Sequence, residues 1–159
     1  MKVLVLGDFL KENTAQQMEL LRNVSEYTEN EVQYLVKPHP ACPIIAEDYP
    51  ELDLVVTNDP IPEIIDQCTI AFTSNATSAA VDVYCMGKPV VTVLDPKSLN
   101  LSLLKGREGV AFVGTSKELA VVLNNIENMK DVEEQGIDYF YLDPELPRWR
   151  KLLIEIKSG

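Results

Sequence analysis

The sequence is poor in the residues that build metal and redox sites. Its 159 residues include a single histidine, His39, so a zinc site built on histidines would lack ligands. Its three cysteines stand singly, without the paired spacing of a metal site: Cys42, Cys68 and Cys85. An odd, scattered set fits a reducing compartment better than a disulfide framework. We therefore expect neither a metal nor a resident cofactor.

Basic residues and long apolar runs are also scarce. Only 14 lysines and arginines face 25 acidic residues, which gives a formal charge of −11. A nucleic-acid-binding protein needs a basic surface to displace counterions, so we expect no nucleic-acid partner. No apolar run approaches the ~20 residues of a membrane span, and the first residues carry no secretory signal pattern. These features predict a cytoplasmic protein; peripheral attachment of a full-length protein to the inner membrane stays open.

Short apolar runs alternate along the chain with segments of helical periodicity. The predicted strands cover residues 2–8, 32–37, 52–57, 69–72, 89–94 and 109–113. The predicted helices cover residues 15–24, 61–66, 79–86, 116–129 and 147–156. This alternation predicts an α/β fold with an open, doubly wound parallel sheet of about six strands and helices on both faces. Residues 1–159 would form a single Rossmann-like domain of this kind.

The residues that follow the strands are the candidate site. In open α/β sheets, ligands bind beyond the carboxyl ends of the strands, where the strand order reverses. After the first strand, Gly7 would permit close approach of a ligand to the backbone, and Asp8 follows it. A simple turn is the alternative for this pair.

The second predicted strand ends in Lys37-Pro38-His39-Pro40. Two prolines restrict the backbone on either side of His39 and so limit the directions of its imidazole. An imidazole near the ammonium group of Lys37 suits a phosphate, to which it can donate a hydrogen bond or a proton. The alternative is a loop histidine at a proline-rich corner.

The fourth predicted strand is joined to a helix by Thr73-Ser74-Asn75-Ala76-Thr77-Ser78. Its hydroxyl and amide side chains accompany the unpaired backbone N–H groups of a first helical turn, and together these groups can bind an anion. Redundant helix capping is the alternative. Asp82, one turn after Ser78, could accept hydrogen bonds from ribose hydroxyls beyond the phosphate, or be a solvated helix residue.

Two segments resemble the carboxyl-terminal, donor-binding domain of GT-B glycosyltransferases. They are residues 73–78 and residues 82–91, and the second ends in Gly87-Lys88-Pro89-Val90-Val91. In that superfamily a helix with an acidic residue runs into a Gly-Lys-Pro-Val-Val strand. The acid usually binds the nucleotide ribose, and Asp82 stands at its position. Many members carry a second acid, where this chain has Ser74. Residues 141–144 and 146–149 resemble surface-carbohydrate biosynthesis proteins more weakly.

The Lys37–Pro40 segment is similar to the His-Pro motif of bacterial sialyltransferases, capsule Kdo-transferases and CDP-glycerol glycerophosphotransferases. Those enzymes carry a hydroxyl pair before the acidic helix, as Thr77-Ser78 does here. The resemblance implies a CMP- or CDP-linked nucleotide sugar as substrate, with His39 as the catalytic group at the leaving phosphate and no metal. The predicted substrate-binding residues are Gly7, Asp8, Lys37, Pro40, Ser74, Asn75, Thr77, Ser78 and Asp82.

The resemblance also implies that the chain is half of a two-domain enzyme. GT-B enzymes have a second domain that binds the acceptor and usually supplies the catalytic base, and 159 residues leave room for one domain. We therefore expect the donor-binding half of a glycosyltransferase for surface polysaccharide or capsule synthesis. Alone it would be inactive, and its partner would be the missing acceptor-binding domain.

Three functions besides glycosyl transfer are compatible with the sequence. A phospho-receiver signalling domain is also doubly wound, and residues of the types it needs follow the predicted strands: Asp8, Asp59, Thr73 and Lys97. The second is one half of a sugar-nucleotide epimerase, which shares the two-domain architecture. The third is a scaffold domain that has the fold but no activity.

Overall fold

The computed structural model describes residues 1–28, 30–95 and 99–129, together with Leu146, Pro147, Arg150, Lys151 and Ile154. Its strands are β1 (Lys2–Leu6), β2 (Gln33–Lys37), β3 (Leu54–Val56), β4 (Ile70–Thr73), β5 (Val90–Val93) and β6 (Val110–Val113). Its α-helices are α1 (Lys11–Val24), α2 (Ile61–Ile64), α3 (Ala79–Cys85) and α4 (Ser116–Asn124). Short 3₁₀ helices cover Ala46–Asp48, Ile65–Gln67 and Ile126–Asn128.

The strands form one six-stranded sheet in the order β3-β2-β1-β4-β5-β6. Every neighbouring pair is parallel, which confirms the predicted doubly wound α/β fold. The order reverses between β1 and β4, and this is the position where folds of this kind open a crevice for ligands. At the carboxyl end of β1, Leu6 pairs with Lys37 of β2 and with Thr73 of β4.

The core lies on both faces of the sheet because most strand positions are apolar on both faces. Along β1, Val3 and Val5 join a cluster with α1 and α4, whereas Leu4 and Leu6 join a second cluster with α2 and α3. Successive side chains of a strand point to opposite faces, so an uninterrupted apolar run serves both clusters. The edge strand β3 is only partly buried, in contrast to the fully buried β4 and β5.

Every strand and helix predicted within the described residues is present, although several boundaries differ. Helix α1 begins at Lys11, four residues before the predicted start, and its N-cap residue is Leu10. The earlier start brings Thr14 into the helix, where its hydroxyl bonds to the backbone of Asp8. The helix predicted for residues 116–129 ends at Asn124 and is followed by a 3₁₀ turn.

The predicted last helix falls mostly outside the described residues, of which Pro147, Arg150, Lys151 and Ile154 are helical. Residues 130–145, Arg148 and Trp149 also lie outside them. Across the described part of the chain, no helix combines the length and the apolar character needed to cross a bilayer.

Candidate functional site

Three segments meet at the carboxyl edge of the sheet around the strand-order reversal. They are the β1 loop (residues 7–10), the β2 loop (residues 38–42) and the β4 turn (residues 74–78). Because β2 and β4 flank β1 in register, and adjacent strands lie about 4.8 Å apart, the ends of β2 and β4 are separated by about 10 Å. The predicted site residues on these segments therefore follow three neighbouring strands, at the edge where folds of this kind open a crevice.

The β1 loop packs tightly against the β2 loop. The backbone N–H of Gly7 donates to the carbonyl of Lys37 over 3.0 Å. A Cβ atom at Gly7 would lie 3.0 Å from the backbone nitrogen of His39 and 3.2 Å from the Cα of Pro38. The close approach that glycine permits at this position is thus an approach to the chain's own β2 loop.

His39 is exposed, and hydrogen bonds fix both its backbone and its ring. Its carbonyl accepts from the backbone N–H of Cys42 over 2.8 Å, and its Nδ1 accepts from the N–H of Ala41 over 3.1 Å. An Nδ1 atom that accepts a hydrogen bond carries no proton in the neutral ring, so the proton resides on Nε2. Within the described ranges Nε2 has no partner, which leaves this N–H as a donor for a ligand.

Asp8 and Ser74 are buried and bonded to each other, with exposed fractions of 1% and 3%. The Ser74 hydroxyl donates to Oδ2 of Asp8, and the backbone N–H of Leu10 donates to Oδ1 over 2.8 Å. Thr14 bonds through its hydroxyl to both the N–H and the carbonyl of Asp8. Both side chains were predicted to contact substrate, and the structure shows them occupied with protein partners.

Thr77 and Ser78 differ from Asp8 and Ser74 in their hydrogen bonding. Thr77 is half-buried and Ser78 is exposed. Neither hydroxyl makes a hydrogen bond with another residue that the structure describes, and Ser78 precedes α3 without capping it. The capping alternative considered for these residues therefore does not describe Ser78. Asp82 is exposed in the first turn of α3.

The remaining predicted residues lie around this crevice. The Lys37 ammonium donates to the carbonyls of Asn58 and Asp59, at 3.1 and 2.8 Å, and so braces the segment after β3. The side-chain amide of Asn75 donates to the carbonyl of Leu99 over 3.2 Å. Pro40 is exposed on the β2 loop.

A cavity of about 100 Å³ opens beside the β4 turn, between α1 and the ends of β4 and β5. Its lining residues are Asn13, Gln16, Ser74, Asn75, Val93 and Asp95. Asn13 and Gln16 were not among the residues predicted from the sequence to line the site. The signal that could have found them is their place in the helix that directly follows β1, since its first turns border the carboxyl edge.

Two of the three cysteines, Cys68 and Cys85, have thiols that resist ionisation. Burial raises the pKa of the Cys85 thiol, and the negative charge of Asp82 raises it further, against an opposing effect of Arg107. Burial likewise raises the pKa of Cys68. Among the described residues, no group of three or more His, Cys, Asp or Glu side chains is placed to hold a metal ion.

The sequence matches no protein-family model and no curated protein. Among solved structures, the chain is similar to the catalytic domain of cholesterol-α-glucosyltransferase from Helicobacter pylori, with a TM-score of 0.59 and 16% identity. The match covers 87% of this chain and 95% of that one, so the two chains are similar in size. At this identity the likeness concerns the fold. The chain thus has a Rossmann-like α/β fold, which it shares with that catalytic domain.

Proposed function

We propose that the chain is the donor-binding domain of a glycosyltransferase that takes a CMP- or CDP-linked sugar and acts in surface polysaccharide or capsule synthesis. One observation carries the proposal. His39 and the hydroxyls of Thr77 and Ser78, to which no other described residue bonds, follow strands that flank β1 at the edge where the strand order reverses. The shared fold with a glucosyltransferase catalytic domain supports it.

The donor phosphate would lie between the β2 loop and the β4 turn. The Nε2–H of His39 would donate from one side, and the hydroxyls of Thr77 and Ser78 from the other. Asp82, one turn along α3, would accept hydrogen bonds from the ribose hydroxyls.

In the transfer step an acceptor oxygen forms a bond to the anomeric carbon of the sugar. The bond between that carbon and the donor phosphate oxygen breaks, and its electron pair leaves with the phosphate. Donors already in place around that oxygen stabilise the charge that develops on it. His39 in its protonated form can also pass a proton to the leaving group. The acceptor hydroxyl would lose its proton to a base supplied by the acceptor-binding partner domain.

The strand order disfavours the receiver alternative. Receiver domains follow the order 2-1-3-4-5, whereas this sheet follows β3-β2-β1-β4-β5-β6. Asp59, the candidate phospho-acceptor, accepts a hydrogen bond from the hydroxyl of Thr57 over 2.9 Å. Thr73 is fully buried, and Lys97 lies outside the described residues.

Calorimetric titration of the chain with CMP, CDP, UDP and GDP tests the proposal. We expect the two cytidine nucleotides to bind most tightly and Ser78→Ala to weaken their binding. Ser25→Ala is the matched control, because Ser25 is also an exposed serine at a helix end but lies at the C-terminal end of α1. Preference for UDP would favour an epimerase half instead, and absence of all binding would favour a scaffold domain. Labelling by acetyl phosphate with Mg²⁺ would favour a receiver.

A further inference from the structure

We propose that Asp8 and Ser74 are positioning residues rather than substrate ligands. Their buried contact holds the β1 loop against the β4 turn, and this sets the position of His39 relative to the hydroxyls across the crevice. The consequence for ligand binding rests on the proposed function. The effect of Ser74 on the position of His39 can be measured without any ligand.

The Asp8–Ser74 contact is built into the interior of the chain. A carboxylate that is 1% exposed needs hydrogen-bond donors to replace water, and the Ser74 hydroxyl and the Leu10 N–H supply them. The Ser74 oxygen also accepts from the N–H of Ala76 over 3.4 Å, inside the β4 turn. One serine side chain therefore joins the buried carboxylate to the backbone of the turn that carries Thr77.

The same loop contacts His39 on its other side. Phe9 follows Asp8 directly, and its ring lies edge-on to the His39 ring, with centroids 6.3 Å apart and planes at 64°. The carbonyl of Phe9 accepts from the thiol of Cys42 over 3.1 Å. A continuous series of contacts thus runs from Ser74 through Asp8 and Phe9 to His39.

This series of contacts predicts that a substitution at Ser74 changes the surroundings of the His39 ring, although the two side chains belong to different loops. His39 is the only histidine, so its imidazole proton signals are unambiguous in a proton NMR spectrum. The ring of Phe9 shifts nearby proton resonances according to its orientation. Movement of the β1 loop would therefore appear directly as a shifted His39 signal.

The experiment compares the wild-type chain with Ser74→Ala and Thr92→Val at one fixed pH, without ligand. Thr92→Val is the matched control: it removes a buried hydroxyl contact, the 3.2 Å contact between Thr73 and Thr92, outside the series. We expect Ser74→Ala to shift the His39 resonances and Thr92→Val to leave them in place. Asp8→Asn should stay close to wild type, since its amide can accept from Leu10 and donate to Ser74. Equal spectra for wild type and Ser74→Ala, or equal shifts in both variants, would overturn the proposal.

Hydrogen exchange in the wild-type chain keeps the proposal testable if Ser74→Ala does not fold. The N–H groups of Leu10 and Ala76 donate to the Asp8 carboxylate and the Ser74 oxygen. We expect both to exchange at least tenfold more slowly than in an unstructured peptide. Exchange at the unstructured rate would show that the contact does not hold either loop.

Nucleotide binding separates this inference from the proposed function. If wild type binds CMP, Ser74→Ala should weaken that binding about tenfold, because ordering the two loops without the internal Asp8–Ser74 hydrogen bond then costs part of the binding free energy. Thr92→Val should bind CMP as wild type does. If wild type binds no nucleotide, the proposed function fails, and the His39 spectra still decide whether the coupling exists.

Discussion

The backbone N–H of Ala41 donates a hydrogen bond to Nδ1 of His39 over 3.1 Å. This contact assigns the proton of the neutral imidazole to Nε2, the atom that remains available to a ligand. The neutral ring can therefore donate a hydrogen bond to a phosphate oxygen, and protonation is needed only for proton transfer. The sequence alone does not distinguish hydrogen-bond donation by His39 from proton transfer. The hydrogen bond from Ala41 shows that the first needs only the neutral ring.

Replacing His39 tests its role at the leaving group. In the proposed enzyme, assembled with the acceptor-binding domain that the proposal requires, His39→Ala should lower turnover about 10²–10³-fold, the usual effect of losing one placed donor to a developing charge. His39→Gln should retain more activity, because its amide can still donate a hydrogen bond. Steady-state turnover with a cytidine-linked donor measures the effect. Turnover of His39→Ala close to wild type would remove His39 from the mechanism.

Gly7→Ala should disturb the packing of the β1 loop on the β2 loop. The new methyl group would press on the backbone of His39 and Pro38 at 3.0 and 3.2 Å, and overpacking of this kind costs about 1–3 kcal/mol. Urea unfolding measures the free energy, and nucleotide titration measures the effect on the site. Gly106→Ala is the control: Gly106 has a φ of 79° but no atom within 4 Å of an added Cβ. Gly106→Ala should lower the free energy of unfolding but should bind nucleotide as tightly as wild type does.

Tyr34 should make the fold sensitive to alkaline pH. Burial raises the pKa of its hydroxyl from 10.0 to about 12. The fold accepts the neutral Tyr34 hydroxyl and disfavours its ionised form. Because the folded pKa exceeds the unfolded one, the contribution of Tyr34 to folding stability is complete below pH 10 and is lost as the pH rises to 12. The loss amounts to roughly 2–3 kcal/mol at most, at 1.36 kcal/mol per pH unit.

Tyr34→Phe removes this titration, so its unfolding free energy should fall less between pH 9.5 and 11.5 than that of wild type. Urea denaturation at both pH values provides the comparison. Tyr27→Phe serves as the control because Tyr27 is 48% exposed. Equal pH dependence in wild type and Tyr34→Phe would contradict the assignment.

Thr115 and Glu118 form a reciprocal cap at the start of α4. The Thr115 hydroxyl accepts from the N–H of Glu118, and the Glu118 carboxylate accepts from the N–H groups of Gly114 and Thr115. Thr115→Ala should cost about 1 kcal/mol of stability in urea unfolding. Lys117→Ala, on the same exposed turn, should cost less. Since the two capping side chains act together, changing both should cost less than the sum of the single changes.

Asp82 should slow the alkylation of the Cys85 thiol, which lies one turn after it on α3. Its negative charge helps to raise the pKa of this half-buried thiol, so Asp82→Asn should increase the thiolate fraction and the rate of alkylation at pH 8. The gain should be severalfold at most, because the Asp82 carboxylate is exposed to solvent. Iodoacetamide kinetics followed by mass spectrometry of the Cys85 peptide measure it. An unchanged rate would show that the carboxylate does not act on the thiol.

The sequence by itself determined the fold class and the edge of the sheet that carries the candidate site. Apolar runs such as residues 3–6 are hydrophobic on both faces of a strand, and this pattern requires helices on both sides of a parallel sheet. Polar residues directly after those strands must then gather at one edge. Local pattern also places Gly87 at the end of α3, where its φ is 80°.

Only the tertiary structure decided which of these edge residues bond to other parts of the chain. The partner of the Asp8 carboxylate is Ser74, 66 positions away, and no local pattern encodes that contact. Lys37 likewise turns to carbonyl groups after β3, and the ring nitrogens of His39 acquire distinct roles through Ala41. Chain periodicity fixes where a strand ends, whereas the hydrogen-bond partner of a polar side chain depends on which strands become neighbours in the sheet.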